Sequence, residues 1–225
     1  MDPGALSWRP FWVSIKLAGI TTIILFVLCL PAAYIFVHRS FPGKVILDSI
    51  VSLPLVLPPT VLGFYLLLLL SPHSAIGRFV ENTLGLRLVF NFWGMVIGCC
   101  MFSFPFMFRP LRDGMAKLPR SLIEASFTLG KSELVTLRYV ILPNIKPSLL
   151  TGLITTFAHT IGSFGVVLMV GGNISASTKV VSIAIFEEVE QLNFEAAHTY
   201  CGVLVLCSFA AMVTLNVINR RMQQS

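Results

Sequence analysis

Hydroxyl side chains and one histidine interrupt the long apolar runs of this sequence, and they are its first candidates for contact with a polar solute. The set comprises Thr60, Ser103, Thr155, Thr156, His159 and Ser163. Such groups can form weak, reversible hydrogen bonds in a conduction path, and an ionisable group in a membrane span usually faces a bundle interior or a cavity. They can equally bond their own helix or pack small faces together. Both interpretations stay open for each residue, so His159 is not assigned as a binding site.

Prolines disturb the second long apolar run. Pro54, Pro58 and Pro59 each lack a backbone N–H, so a regular helix cannot pass through them undisturbed. Such breaks are tolerated in lipid where neighbouring groups or a cavity satisfy the freed carbonyls. We therefore add Pro58 and Pro59 to the candidate pathway residues, with a purely structural bend as the alternative.

A short amphipathic segment over 119–130 is the second feature that could serve a function. Pro119 suits a first helical position, whereas Ser121 with Glu124 has the spacing of a capping box, so two helix starts compete. Gly130 can close either helix in a left-handed conformation. Small and apolar residues recur at helical spacing, namely Leu122, Ala125, Ser126 and Leu129. Because so short a helix is marginal alone in water, it requires either a partner's groove or the membrane headgroups.

Sequence motifs for metal, nucleotide or covalent chemistry are absent. Gly130-Lys131-Ser132 resembles the end of a phosphate-binding loop, but Ala125 stands where its first glycine is required. The five cysteines fall in apolar runs, and no zinc spacing of His and Cys occurs. The acids are scattered rather than clustered, which argues against a membrane-embedded enzyme. We predict that the chain binds no cofactor or metal.

The elements that carry these residues are predicted to be membrane helices. The chain has 225 residues, 56% apolar and 12% charged, against about 25% charged in soluble domains. Apolar runs long enough to cross a bilayer predict an all-α membrane protein in one domain, with five spans near 11–37, 45–70, 89–108, 149–170 and 200–217.

Basic residues predict the orientation. Eleven of the sixteen Lys and Arg lie in one alternating set of connections, which the positive-inside rule places in the cytoplasm. The amino terminus is then outside and the carboxyl terminus cytoplasmic. The outer connection before the fifth span carries Glu187, Glu188, Glu190 and Glu195. An acidic rim does not attract an anion from solution, which favours delivery by a separate protein, although a merely solvated loop is the alternative.

Two motifs in the inner connection resemble the EAA signature of permeases in ATP-binding-cassette importers. They are Glu124-Ala125-Ser126 followed by Gly130, and Val140-Ile141-Leu142-Pro143. In that family this segment is the coupling helix, which docks on a cytoplasmic ATPase. The resemblance therefore implies a coupling role for Glu124, Ala125, Ser126, Gly130, Leu142 and Pro143, with ATP and Mg²⁺ used by that separate subunit.

A broader resemblance, from Trp8 to Arg221, is to the molybdate and tungstate permeases. It is carried by the segments 41–48, 53–63, 157–162 and 164–174. Ser163 stands where many relatives have glutamate, and Ser175-Ala176-Ser177-Thr178 replaces a PGET-like turn. Any role of that glutamate is therefore not carried over.

The resemblance implies a function and a set of partners. The chain would be the permease of a bacterial or archaeal cytoplasmic-membrane importer for molybdate or tungstate. It would work with a second copy of itself, two ATPase subunits, an extracytoplasmic oxyanion-binding protein and membrane lipid, and without nucleic acid. A sulfate importer is the nearest alternative. An uncoupled channel or scaffold protein is the alternative from another class.

Overall fold

The computed structural model describes residues 7–174 and 177–223, and this part of the chain is helical without strands. The helices are α1 (Arg9–His38), α2 (Lys44–Val56), α3 (Pro59–Leu70), α4 (Ala75–Leu84), α5 (Phe92–Ala116), α6 (Arg120–Thr128), α7 (Glu133–Thr136), α8 (Leu142–Asn144), α9 (Lys146–Ile161), α10 (Gly165–Gly171), α11 (Val181–Glu190) and α12 (Phe194–Gln223). A π-helical turn, Leu137–Ile141, joins α7 to α8. The all-α class predicted from the sequence is confirmed.

Three of the described helices are long and apolar enough to cross a membrane: α1, α5 and α12. Two bent pairs raise the number to as many as five. One pair is α2 with α3, at 111°, and the other is Glu133–Asn144 with α9, at 80°.

The second predicted span, 45–70, is two helices rather than one. Leu57 and Pro58 each precede a proline, and a residue in that position is disfavoured in the α conformation. Both are extended, with ψ angles of 138° and 135°. Pro59 then occupies the first position of α3, where its missing N–H has no intrahelical partner to lose.

The fourth predicted span, 149–170, is also interrupted, and here the sequence-based expectation of a continuous helix was wrong. Helix α9 ends at Ile161, and α10 begins at Gly165. The Ser163 hydroxyl donates to the carbonyl oxygen of His159 at 2.9 Å, while the Ser163 N–H bonds Thr160 instead. A side-chain donor thus replaces the backbone donor that a continuing helix would have supplied.

The core of the molecule is the packing of α1, α5 and α9. Leu25 and Cys29 of α1 meet Met107 and Leu111 of α5, all almost fully buried. Helix α9 turns its small residues, Gly152, Thr156 and Thr160, inward. A Cβ atom on Gly152 would lie 3.2 Å from the sulfur of Met107. Small residues therefore allow the close approach of helices that membrane packing requires.

Helices α2 and α12 lie at the periphery. None of the residues of α2 is buried. In the most apolar 18-residue stretch of α12, 12% is buried. Their apolar side chains need lipid or another protein surface to cover them.

Candidate functional site

The two helix breaks lie against each other and form one junction. A Cβ atom on Gly165, the first residue of α10, would lie 3.1 Å from Cβ of Pro59 and 3.2 Å from the backbone nitrogen of Thr60. One turn further, the space for a side chain on Gly63 is filled by Met169 at 2.9 Å. Glycines on both helices therefore bring α3 and α10 into backbone contact. We call this contact the break junction.

The predicted pathway residues at this junction differ in their exposure. Pro58, Pro59 and Thr60 are exposed, whereas Ser163 is buried, at 4% exposure. The Ser163 hydroxyl bonds its own helix at His159, and the Ser163 carbonyl accepts from the Ser182 hydroxyl at 2.8 Å. The Ser163 hydroxyl is thus bonded as the structural alternative predicts, and its pathway role stays a prediction. The sequence did not single out Ser182, which is an isolated serine in α11.

His159, one turn before the break, is fixed by a hydrogen-bond chain between α9 and α5. Its Nδ1 lies 2.9 Å from Oγ of Ser103, which lies 3.1 Å from Oγ1 of Thr160. The Thr160 hydroxyl donates its proton to the carbonyl of Thr156 at 2.8 Å. Since a hydroxyl carries one proton, Thr160 can only accept from Ser103.

This chain of donors determines the tautomer of His159. Because Ser103 donates to Thr160, its oxygen accepts from Nδ1–H of His159, and Nε2 is left as the free ring nitrogen. The ring is held between Phe106 and Phe102, with centroids 4.0 and 4.6 Å away. Nε2 forms no hydrogen bond within the described residues and is not sealed from solvent. It can therefore meet a polar solute.

Thr155 and Thr156 are separate from this group. The Thr155 hydroxyl donates to the carbonyl of Thr151, one turn earlier in α9, at 2.7 Å, and the carbonyl of Phe106 in α5 lies farther away, at 3.2 Å. Thr156 is fully buried and its hydroxyl has no partner in the described part of the chain. Ser103 and Thr160 are buried as well, whereas His159 is half-buried.

The amphipathic segment forms α6, but its first residue differs from both sequence-based expectations. Pro119 caps the helix and Arg120 begins it, with no side-chain capping bond from Ser121. Its end agrees with the prediction for Gly130, which has a φ of +72°. Lys131 N–H bonds the carbonyl of Ser126 and Gly130 N–H that of Phe127. This is the pattern of a Schellman motif.

The two faces of α6 have different surroundings. Ile123 and Ser126 are buried, whereas Leu122, Ala125 and Leu129 are exposed. We call these three the outward face of α6. Oγ of Ser126 lies 2.9 Å from Oγ1 of the buried Thr136, which ties α6 to α7. Thr136 was not identified from the sequence, because its partner is known only after α6 and α7 pack.

The remaining residues of the EAA-like motifs lie along the same connection. Glu124 is exposed beside the outward face, Leu142 packs partly against the core, and Pro143 is exposed. Pro143 cannot donate to the carbonyl of Tyr139, and the π-helical turn Leu137–Ile141 ends two residues before it. The four non-helical residues 129–132 join α6 to α7, and from α7 to α9 the chain is helical except at Ile145.

Ion pairs fix both ends of the molecule. Arg112 of α5 bonds Asp48 of α2 and Asp113, and Arg109 donates to Ser52 at 2.7 Å. These bonds hold the otherwise exposed α2 against α5.

At the acidic end, Lys179 lies 2.5 Å from Glu187, which also accepts from Asn173. Hydrogen bonding from Lys179 lowers the pKa of Glu187. Part of the acidic charge of this surface is therefore neutralised internally. Ser175 and Ala176, half of the turn that departs from the molybdate permeases, lie outside the described residues.

No group of three or more His, Cys, Asp or Glu side chains is placed to hold a metal ion in residues 7–174 and 177–223.

Comparisons with known proteins agree with this architecture. Residues 26–224 match the family model of the binding-protein-dependent transport system inner membrane component. A molybdenum transport system permease protein, ModB of Azotobacter vinelandii, is 39% identical over 90% of both chains. A sulfate transport system permease protein, CysT of Salmonella typhimurium, is 28% identical over 98% of this chain and 84% of its own length.

A solved structure shows the same fold. A chain of the MetNI methionine ABC transporter, in inward-facing conformations, superposes with a TM-score of 0.71 at 20% identity over 98% of both chains. The family match covers most of the sequence and includes both helix breaks and α6. This protein therefore belongs to the family of inner membrane components of binding-protein-dependent transport systems, as the permease subunit of an ABC importer.

Proposed function

We propose that this chain forms half of the membrane pathway through which an ATP-driven importer moves molybdate, tungstate or a closely similar tetrahedral oxyanion. The observation that carries the oxyanion class is the 39% identity, over 90% of both chains, to a permease named for molybdenum transport. The break junction supports a pathway role, because exposed Pro58, Pro59 and Thr60 meet the start of α10 there. In transporters, interrupted helices commonly border the substrate route.

His159 and Thr60 are the candidate contacts for the solute. A pathway must bind weakly enough to release its cargo. Thr60 offers an exposed hydroxyl, and His159 offers an accessible Nε2 that accepts a hydrogen bond when neutral and donates one when protonated. Neither holds a fixed positive charge, so neither would trap a dianion.

Coupling to ATP is assigned to α6. Its outward face is apolar and exposed, with Leu129 at 76% exposure, and Glu124 lies beside that face. A groove on a cytoplasmic ATPase would cover these residues. In this proposal two copies of the chain work with two ATPases, which bind ATP and Mg²⁺, and an extracytoplasmic binding protein delivers the anion to the acidic outer surface.

Copurification tests the coupling role. With its partner ATPase subunit, the chain should form a complex in which Glu124→Lys allows ATP hydrolysis but not uptake. Ser121→Lys, also on the exposed part of α6, is the matched control and should transport normally. An uncoupled channel would conduct without an ATPase, and Glu124→Lys would then have no effect on flux.

Sulfate is the second candidate substrate, because a sulfate permease is 28% identical over 98% of this chain. Uptake of labelled molybdate into proteoliposomes that contain the ATPase and the cognate binding protein separates the two. We expect tungstate to compete and sulfate to compete weakly. Competition by sulfate alone would assign the sulfate function instead.

A further inference from the structure

A polar cavity of about 670 Å³ opens at the basic end of the molecule, between the ends of α1 and α5 and the starts of α2 and α6. The charged residues that line it are Arg39, Lys44, Arg120 and Glu124. His38 also lines it, with its Nδ1 2.9 Å from the carbonyl of Tyr34. Cations thus outnumber carboxylates three to one in the lining.

These cations are poorly neutralised by protein groups. Lys44 and Arg120 form no salt bridge within the described residues, and Nζ of Lys44 lies 4.8 Å from the ring centroid of Phe36. Arg39 approaches Glu133 at 3.9 Å, with both side chains mostly exposed, and such a pair contributes little. The cavity therefore presents a positive potential.

The backbone adds to this potential. Helix α2 begins at Lys44, in the lining, and no side chain caps its first N–H groups. Unpaired N–H groups at a helix start favour an anion nearby. This contribution supplements the cation cluster and would not define a site without it.

The residues beside the cavity indicate where the anion comes from. Val45 and Ile46, directly after Lys44, are 79% and 67% exposed. In the proposed orientation, this turn of α2 enters the cytoplasmic leaflet, so its apolar side chains meet acyl chains. Basic pockets beside membrane helices on that side suit anionic head groups.

We propose that this cavity binds the phosphate group of an anionic phospholipid, held by Lys44 and Arg120. The inference rests on the orientation in the proposed function but not on the transported substrate. Because one wall belongs to α1, α2 and α5 and the other to α6, an occupied cavity would hold α6 against the membrane body. A free phosphate ion shares the same chemistry and is the other source to test.

Lipid titration of the purified full-length chain in detergent, followed by native mass spectrometry, tests the proposal. We expect phosphatidylglycerol to bind in preference to zwitterionic phosphatidylcholine. Lys44→Ala and Arg120→Ala should each weaken that binding about five-fold, and the double variant about 25-fold. Excess inorganic phosphate distinguishes the lipid head group from a free phosphate ion as the occupant. The ion should displace phosphatidylglycerol only if it occupies the same cavity.

Lys131→Ala is the matched control. It removes an exposed cation from the same connection, outside the cavity lining, and should leave lipid binding unchanged. Equal losses of phosphatidylglycerol binding in all three single variants would show a general surface-charge effect and overturn the proposal. Equal binding of phosphatidylglycerol and phosphatidylcholine would overturn it as well. Lipid binding is measured without transport, so a failure of uptake leaves this result standing.

Discussion

Two residues occupy the same left-handed position after a helix, and only one of them is suited to it. Gly130 closes α6 with a φ of +72°, and Leu192 closes α11 with a φ of +59°. Both helices end in the same pair of bonds, since Leu192 N–H reaches Val189 and Asn193 N–H reaches Glu188. An L-residue with a Cβ pays about 1–2 kcal/mol for this conformation. Leu192 is thus a site of local strain.

Leu192→Gly should therefore stabilise the protein by about 0.5–1 kcal/mol, after the greater chain entropy of glycine is subtracted. The measurement is the midpoint of thermal unfolding in detergent at one scan rate. Leu192→Ala is the control, because it removes the same apolar side chain but keeps the Cβ, and it should give no gain. An equal gain in both variants would attribute the effect to the lost leucine rather than to the backbone.

His159 allows its two ring nitrogens to be tested separately. Asparagine keeps an N–H near the position of Nδ1 and loses Nε2, whereas glutamine does the reverse. If Nε2 contacts the solute, uptake by His159→Gln should exceed that of His159→Asn by about 2- to 10-fold, the value of one hydrogen bond. The opposite order, together with a higher unfolding temperature for His159→Asn, would make His159 a packing residue bonded to Ser103.

At the level of elements, local rules predicted one helix break and missed the other. The break at Pro58 follows from the proline sequence itself, through the restriction on residues that precede proline. The break at Gly162 depends on the Ser163 hydroxyl and on Gly165 packing against Pro59, which is distant in sequence. Hydrophobicity continues across 149–170, so it gave no sign of this interruption. Likewise, the tautomer of His159 required Ser103 and Thr160 to be placed first.

The break junction can be tested with a pair of glycines. Gly165→Ala would place a Cβ 3.1–3.2 Å from Pro59 and Thr60, so α3 and α10 would have to separate. Gly202→Ala in α12 meets no atom within 4 Å and should be neutral or stabilise by about 0.5–1 kcal/mol. We expect Gly165→Ala alone to lower the unfolding temperature and the uptake rate. Similar behaviour of the two variants would mean that the close contact is dispensable.

At the scale of the whole molecule, the structure has three long spans and two bent pairs. If each pair crosses once, five crossings put the termini on opposite sides. The excess of Lys and Arg in one set of connections then predicts a cytoplasmic carboxyl terminus. Peripheral α2 and α12 leave large apolar surfaces for lipid or another protein surface to cover.

The orientation is checked by reporter fusions after Ser225. A reporter active only in the cytoplasm should be active in cells, and one active only outside should be silent. A fusion at the amino terminus is the control and should give the reverse pattern. Activity of the external reporter after Ser225 would invert the topology and move α6 away from any cytoplasmic ATPase.

The bond between Ser126 and Thr136 has a mechanical consequence. It locks α6 to α7, and the path from α7 through the π-helical turn to α9 is helical, with an 80° bend before Lys146. The segment Glu133–Asn144 and α9 are thus two arms of one bent helical unit. In the proposed coupling role, a displacement of α6 would therefore also turn α9, whose carboxyl end lies at the helix break beside His159.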